Sequence, residues 1–382
     1  MPVGRSRGVM SIALTAQYDI LLAGAWHAIT VRSVQTSVVV FGTLISLALL
    51  NLAAPKIQLV DHPDGRRKQH RQPVPLTGGI AILCGVFVGT LLPGNVNQSA
   101  EEMLALLAIV ATIHAFDDQS GLSARQRLVI DFVIALAFVV ITGEIIESLG
   151  SIDGQTIHLG LLATPLTILT YAALTNAYNM VDGLDGLAIS QFLIALIAVG
   201  MFHIAFAPMS GFAPHAYSVF VASVVILFAN LGLAGSFLRC FLGDSGARFL
   251  GFFLAYVLIM EGNRIVSPIG ALFFVALPLT DMCAVIGARL RAGVGPMMPD
   301  RRHIHHLMVD AGVPPHKVVL LMAAMSIGYI GVFLLLHALD ASDLVLAAAF
   351  IPLALLYWQN RLRLVAFARR ALGKIDLVQA GE

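Results

Sequence analysis

The sequence predicts an all-α, polytopic integral membrane protein of about eleven transmembrane helices, with its polar loops gathered on the cytoplasmic side. Three observations carry this. Of 382 residues 58% are hydrophobic and only 12% charged, about half the charge that soluble domains need for a water-facing surface, and the mean hydropathy is +0.87. The apolar residues fall into runs near the roughly 20 residues that cross the hydrocarbon of a bilayer. The remaining charge collects between those runs. A net charge of +1 argues against a polyanion-binding surface, so no nucleic-acid partner is expected. Cys84, Cys240 and Cys283 are scattered without a CxxC pair and sit in or beside apolar runs, which predicts buried thiols rather than a disulfide framework or zinc knuckle.

Taken in order, the apolar runs cover 37–54, 76–93, 102–116, 127–143, 160–176, 187–206, 216–234, 247–262, 268–288, 318–337 and 343–359. With eleven spans the termini lie on opposite faces. One face then receives 19 of the 23 Lys and Arg residues, and the other keeps Arg5, Arg7, Arg32 and Arg264. The positive-inside rule makes the rich face cytoplasmic, with the N-terminus outside and the C-terminus inside. Residues 1–35 are treated as a poorly determined N-terminal segment, either interfacial or an over-extended start with Met10 as initiator. Residues 36–360 form the transmembrane domain, and 361–382 a basic cytoplasmic tail. The alternation of basic and apolar residues over 360–374 suits a helix lying on an anionic leaflet, or a plain stop-transfer tail.

The carboxylates carry more information than the cations. A transporter or proton pump marks its pathway with ionisable groups near mid-span. Here the spans are almost clean apart from Asp131, His114 and Glu261, while ten aspartates gather at helix ends on the cytoplasmic face. This favours chemistry at the membrane surface over passage through it.

Five segments concentrate the polar chemistry. In DHPDGRRKQHRQPVPLTGG (61–79), topology signalling explains the charge, and Lys68 is the candidate substrate contact. In HAFDDQSG (114–121), Asp117 and Asp118 repel each other, so a divalent cation or a shared proton should neutralise them; a solvated loop is the plain alternative. NAYNMVDGLDGLA (176–188) sets Asn176, Asn179, Asp182 and Asp185 three apart, along one stripe if helical. If the segment turns instead, Gly183 and Gly186 let backbone approach a ligand. FLGDSGARFLGF (241–252) presents Asp244 at the head of a span, as a metal ligand beside phosphate-binding backbone N–H groups or as an N-cap. In ARLRAGVGPMMPDRRHIHHLMVDAG (288–312), His303 and His306 share a helical face. With Arg289, Arg291, Arg301 and Arg302 nearby, the segment suggests a phosphate clamp.

These five segments, in this order, resemble the polyprenyl-phosphate N-acetylhexosamine-1-phosphate transferases, and PDRRHIHHLMVDAG looks like the branch that uses UDP-GlcNAc. The resemblance implies transfer of GlcNAc 1-phosphate from UDP-GlcNAc to undecaprenyl phosphate, with release of UMP and with Mg²⁺ or Mn²⁺ as cofactor, as a priming step of O-antigen or another envelope glycan. It implies Asp117 and Asp118 as the catalytic acidic pair, with Asp117 deprotonating the lipid phosphate or helping to hold metal. His303, His305 and His306 match the catalytic phosphate-handling loop together with Arg301. Asn179 and Asp244 match metal-associated positions, and Asp182 and Asp185 the nucleotide side. Phe241 matches an aromatic that stacks on uracil, Asn230 an Asn upstream of the metal Asp, and Arg125 and Arg127 basic positions near the lipid phosphate. Asn176 belongs to the same substrate-binding group. The family also allows a homodimer. Another UDP-N-acetylhexosamine as donor, or a polyprenol-linked glycan transporter, are the competing expectations. One departure stands out: after GDxG this chain has Ala247 and Arg248 where the family usually has small or hydroxyl residues. Arg248 is expected either to contact the diphosphate or to snorkel to the interface.

Overall fold

The structure is a computed structural model that describes residues 32–63, 72–92, 98–152, 154–207, 212–213, 215–298 and 300–372. It is 75% helical. In order the helices are α1 (Arg32–Ala53), α2 (Gly78–Thr90), α3 (Gln98–Ser120), α4 (Ala124–Thr142), α5 (Ala163–Val181), α6 (Leu187–Phe206) and α7 (Ala216–Asn230). They continue as α8 (Gly243–Gly262), α9 (Pro268–Ala271), α10 (Ala276–Arg291), α11 (Ile304–Asp310), α12 (Pro315–Ala338) and α13 (Asp343–Leu372). Each apolar run coincides with helical backbone, the run 268–288 being broken by a 3₁₀ turn over Leu272–Val275 between α9 and α10. Among the described residues six helical stretches are long and apolar enough to cross a membrane: α1, α6, α8, α9 through α10, α12 and α13. The chain is accordingly a multi-pass membrane protein.

Helix α8 is the axis. It is buried over 94% of its apolar window, against 28% for α12 and 17% for α13. A helix that is apolar all round belongs inside a bundle, and α8 packs against α5, α3, α2 and α6. The peripheral helices present apolar side chains outward, such as Phe41, Ile45, Leu49 and Leu52 on α1, a surface suited to hydrocarbon rather than water. The same fact corrects the expectation for the thiols. Cys240 is buried, but Cys84 is half-buried and Cys283 exposed, because an apolar neighbourhood in sequence marks a lipid-facing position as readily as a core one.

Two short antiparallel strand pairs complete the fold: β1 (Val60–Asp61) with β2 (Val74–Pro75), and β3 (Ser148–Ile152) with β4 (Gln155–His158). The first positions the site. The Pro75 carbonyl accepts from Phe241 N at 2.8 Å, and Gly78 N and Gly79 N donate to the Phe241 and Leu242 carbonyls at 3.0 and 3.1 Å. A Cβ on Gly79 would sit 2.3 Å from Gly246 backbone atoms. The glycine pair thus allows α2 to meet the head of α8 backbone to backbone.

Arg248 does neither thing expected of it. It is only 2% exposed and reaches Asp131 on α4, Nη1 to Oδ2 at 2.5 Å, and the Asn179 Oδ1 on α5 at 3.3 Å. Asp131 also meets His114 Nε2 at 3.1 Å and accepts from Asn176 Nδ2 at 2.8 Å. The nearly clean interior read from the runs therefore holds an ionic cluster joining α3, α4, α5 and α8. A guanidinium enclosed by helices on every side cannot snorkel, so it needs a buried carboxylate. A second buried pair, His203 with Glu261 at 2.7 Å, joins α6 to the far end of α8.

The basic tail does not form a separate surface helix within the described residues. Helix α13 runs unbroken through Leu372, 30 residues or about 45 Å, and its end packs inward, with Ala368 fully buried and Arg361 Nη1 donating to the Arg302 carbonyl at 3.4 Å.

Breaking the central pair on one side should be worse than removing both sides. Arg248→Met alone leaves the buried Asp131 carboxylate without its guanidinium, with only His114 and Asn176 as partners, and should destabilise by about 3–5 kcal/mol. The Asp131→Asn/Arg248→Met double variant should recover much of that loss. Thermal unfolding in detergent checks this, and a double variant less stable than the single would contradict the assignment.

Candidate active site

The adjacent carboxylates Asp117 and Asp118 close α3 and point to different partners. Asp117, 1% exposed, accepts from Leu122 N at 2.7 Å and pairs with Arg127 Nε at 2.7 Å. Asp118 accepts from Asp244 N at 2.8 Å and Ser245 N at 3.2 Å. The neutralising charge demanded by two neighbouring acids comes from an arginine for the first and from the N-terminal end of α8 for the second. Asp118 therefore occupies backbone donors expected to be open to a phosphate, and it caps α8 in place of Asp244.

Asp244 is left free to face inward. Its carboxylate meets Arg127 Nη1 at 3.1 Å and accepts from Asn179 Nδ2 at 2.9 Å. Asn179 in turn accepts from Arg248, so its amide is oriented with nitrogen toward Asp244 and oxygen toward Arg248. Arg127, in the first turn of α4 behind the Ser123 capping box, bridges Asp117 and Asp244. Arg125 is exposed one step away.

The polar stripe of α5 divides. Asn176 belongs to the Asp131 cluster and Asn179 to Asp244, and the helix ends at Val181, with Asp182 and Asp185 in the following turn. The segment thus turns rather than continuing as a helix. Asp182 has its carboxyl pushed up to about 8, by burial first and then by the charges of Asp244, Asp185 and Asp118. Asp185 pairs with Arg239 at 3.3 Å where both are exposed. Asn230 is fully employed: its Oδ1 accepts from Gly186 N at 2.5 Å and its Nδ2 donates to the Cys240 carbonyl at 3.1 Å. It ties the 182–186 turn to the segment before α8. Phe241 is partly buried at that junction. Lys68 lies outside the described residues.

The histidine loop faces the same turn. A Cβ on Gly183 would lie 2.3 Å from His305 Nε2 and 3.1 Å from His306 Cε1. His305 is fully buried with neither ring nitrogen hydrogen-bonded, stacks on His303 at 5.8 Å and meets His306 at 4.1 Å. Burial, then neighbouring positive charge, lowers both imidazoles, His306 to about 4, so they are neutral donor–acceptors at neutral pH. The helical face expected for His303 and His306 is not formed, because His303 is the N-cap of α11.

The arginines of this loop are committed internally. Arg289 holds Asp300 through two bonds at 2.9 and 3.1 Å, Arg301 holds Asp310 at 3.1 and 2.6 Å, and Arg302 donates to the Ala288 carbonyl at 3.2 Å. Arg291 lies over the Trp358 ring at 4.6 Å. As arranged, the arginines shape the loop while the histidines face the acids. Spacing alone does not show that Asp300 and Asp310 neutralise the cations of their own segment. Asp131, Asp281 and Tyr357 carry no motif either. Their only signal is an ionisable or polar group among apolar residues, which has to find a partner.

Oxygen donors crowded onto one surface, where burial first and then mutual repulsion raise Asp182, suit a hard divalent cation rather than zinc. Among the described residues no three His, Cys, Asp or Glu side chains converge as a ready-made cage.

An adjacent acid pair, an aspartate at a helix head and a histidine loop, gathered at one end of a membrane bundle, define a class that comparison with known proteins identifies. The glycosyl transferase family 4 profile matches residues 101–262, and the chain belongs to this family. It is similar to the undecaprenyl-phosphate alpha-N-acetylglucosaminyl 1-phosphate transferases of Yersinia pestis, 33% identical over 76% of this chain and 81% of the relative, and of Escherichia coli O157:H7, 33% identical over 80% and 84%. The protein of that name from Pasteurella multocida is 29% identical over 74% and 80%.

Gly183→Ala should push His305 off the 182–186 turn, and a displacement near 1 Å should cost about 10²-fold in turnover; unchanged turnover would separate the histidine loop from the reaction. For His306 the sign is fixed. Its folded-state value of about 4 lies below the ordinary 6.5, so the unfolded chain binds more protons between these values and stability should fall as pH drops through that window. Unfolding temperatures in detergent from pH 7.5 to 5 should show this slope, flattened in His306→Gln.

Proposed function

We propose that this protein transfers N-acetylglucosamine 1-phosphate from UDP-GlcNAc to undecaprenyl phosphate, releasing UMP, at the cytoplasmic face of a bacterial inner membrane. The observation that carries the reading is the Arg127 bridge between Asp117 and Asp244, opposite a neutral histidine loop, in a chain whose relatives are named for this reaction. The proposed topology has eleven crossings, outer N-terminus and inner C-terminus, with residues 36–360 as the transferase domain and 361–382 as the cytoplasmic tail. A homodimer and a role in priming O-antigen or another envelope glycan belong to the same proposal.

Both substrates are anionic, so the reaction needs charge neutralisation and in-line positioning more than covalent chemistry from the protein. A non-bridging oxygen of the lipid phosphate bonds to the β-phosphorus of UDP-GlcNAc, and the bond from that phosphorus to the bridging oxygen breaks, so that UMP leaves with the oxygen. Asp117 is engaged by Arg127, which supports a role for it through that guanidinium: Asp117 holds Arg127, and Arg127 with Arg125 meets the lipid phosphate. Asp118 holds the head of α8, and with it the Asp244 carboxylate. Asp244 and Asp182 would hold Mg²⁺ or Mn²⁺, which when bound neutralises the diphosphate. Asn179 orients Asp244, while Asp185, Phe241 and Lys68 serve the nucleotide side and Asn230 braces it. His305 and His306, neutral and beside Gly183, offer hydrogen bonds to the phosphates, and Arg301 can reach them by exchanging Asp310 for substrate.

The decisive assay is UMP release from UDP-GlcNAc with and without undecaprenyl phosphate and Mg²⁺. Lipid-dependent release is expected, with Asp117→Asn and Asp244→Asn each retaining less than about a tenth of wild-type turnover while still folding. Release from a different UDP-N-acetylhexosamine alone would reassign the donor, and none with any donor would sink the enzyme reading.

A further inference from the structure

Behind the histidine loop, on the side away from the aspartates, lies a buried polar cluster with no assigned role. Asp281 of α10 is 2% exposed, inside a span. Its Oδ2 meets His303 Nδ1 at 2.8 Å. Its Oδ1 accepts from Tyr357 OH of α13 at 2.7 Å and from Ile304 N, the first residue of α11, at 3.2 Å. His303 and Tyr357 are 5% and 4% exposed. A carboxylate so placed can only accept, so it requires a proton on His303 Nδ1 and leaves Nε2 as the ring nitrogen available to substrate. The His303 ring then stacks on His305, whose Nε2 abuts Gly183 next to Asp182. A continuous set of contacts therefore leads from α13 through Asp281 and His303 to the turn that carries Asp182.

We propose that Asp281, braced by Tyr357, is a positioning residue that fixes the tautomer and ring plane of His303 and so sets the histidine loop against the Asp182–Gly183 turn. The physical logic is that of any carboxylate–imidazole pair: a second partner chooses which nitrogen carries the proton and holds the ring still. Three accepted bonds, from three different residues, explain why a carboxylate is tolerated in the interior of α10. The arrangement also gives the C-terminal helix a function, since removing the Tyr357 hydroxyl slackens a group that reaches the site through His303.

The inference rests on the transferase reading, and its test separates the two. ¹⁵N-histidine NMR of the wild-type protein in detergent, with the His303 signals assigned by their loss in His303→Gln, should find Nδ1 protonated. A neutral ring protonated only on Nε2 overturns the proposal, whatever the activity. Asp281→Asn keeps the shape but can present an amide donor to Nδ1, so it should move the proton to Nε2 and lower kcat about 10–100-fold, with KM for UDP-GlcNAc changed less than about 3-fold. Tyr357→Phe should lower kcat in the same sense by a smaller factor, and it decides the matter if Asp281→Asn does not fold. Wild-type kcat in a folded Asp281→Asn, or in Tyr357→Phe where that variant has to decide, overturns the proposal. If wild-type protein releases no lipid-dependent UMP, the transferase reading fails while the tautomer measurement still reports on Asp281.

Discussion

The fold turns on a buried guanidinium that has nowhere to go. Arg248 sits in the most enclosed helix of the bundle, and an unpaired charge there would cost several kcal/mol. Its neutralisation by Asp131 draws α4 against α8, and its second nitrogen binds Asn179 and so fixes α5 against both. From Asn179 the contacts run to Asp244, then Arg127, then Asp117. The candidate site is the end of this chain of alternating charges where it reaches the surface, and its geometry follows from the need to pair charge in a low-dielectric interior.

The surface end is arranged with a different balance. Four carboxylates, Asp118, Asp182, Asp185 and Asp244, gather there, and Asp182 is raised by its burial first and then by the charge of the other three. The histidines opposite are kept neutral by burial and then by the neighbouring histidines and Arg301. Carboxylates therefore outnumber the cations Arg127 and Arg239 that pair with them at this end of the bundle. The arginines nearby keep the loop in shape by pairing with Asp300 and Asp310, residues of the same segment.

The class of fold was legible in the sequence, and so were the segments that the structure brings together. Apolar runs marked the helices, and the segments bearing Asp117, Asp182, Asp244 and His305 do converge at one end of the bundle. What each side chain does there was less legible. Adjacent Asp117 and Asp118 read as one unit but serve two helices, and the evenly spaced Asn176, Asn179 and Asp182 divide between a buried cluster, an orienting contact and a turn. Arg248, following GDxG, read as a contact for the diphosphate or a snorkelling cation, while its partner lies on another helix 117 positions away.

Hydropathy along the chain determined a polytopic helical membrane protein by itself, because the cost of exposing backbone and charge to hydrocarbon acts on each segment separately. The order of its acidic and histidine motifs likewise determined which family it resembles. Only the tertiary structure decided which charge neutralises which, that Asp118 caps α8, that Asp281 stands behind His303, and that α13 closes over the loop. Those are pairings between residues far apart in sequence, and their energies depend on distance and burial, quantities that exist only once the helices have packed.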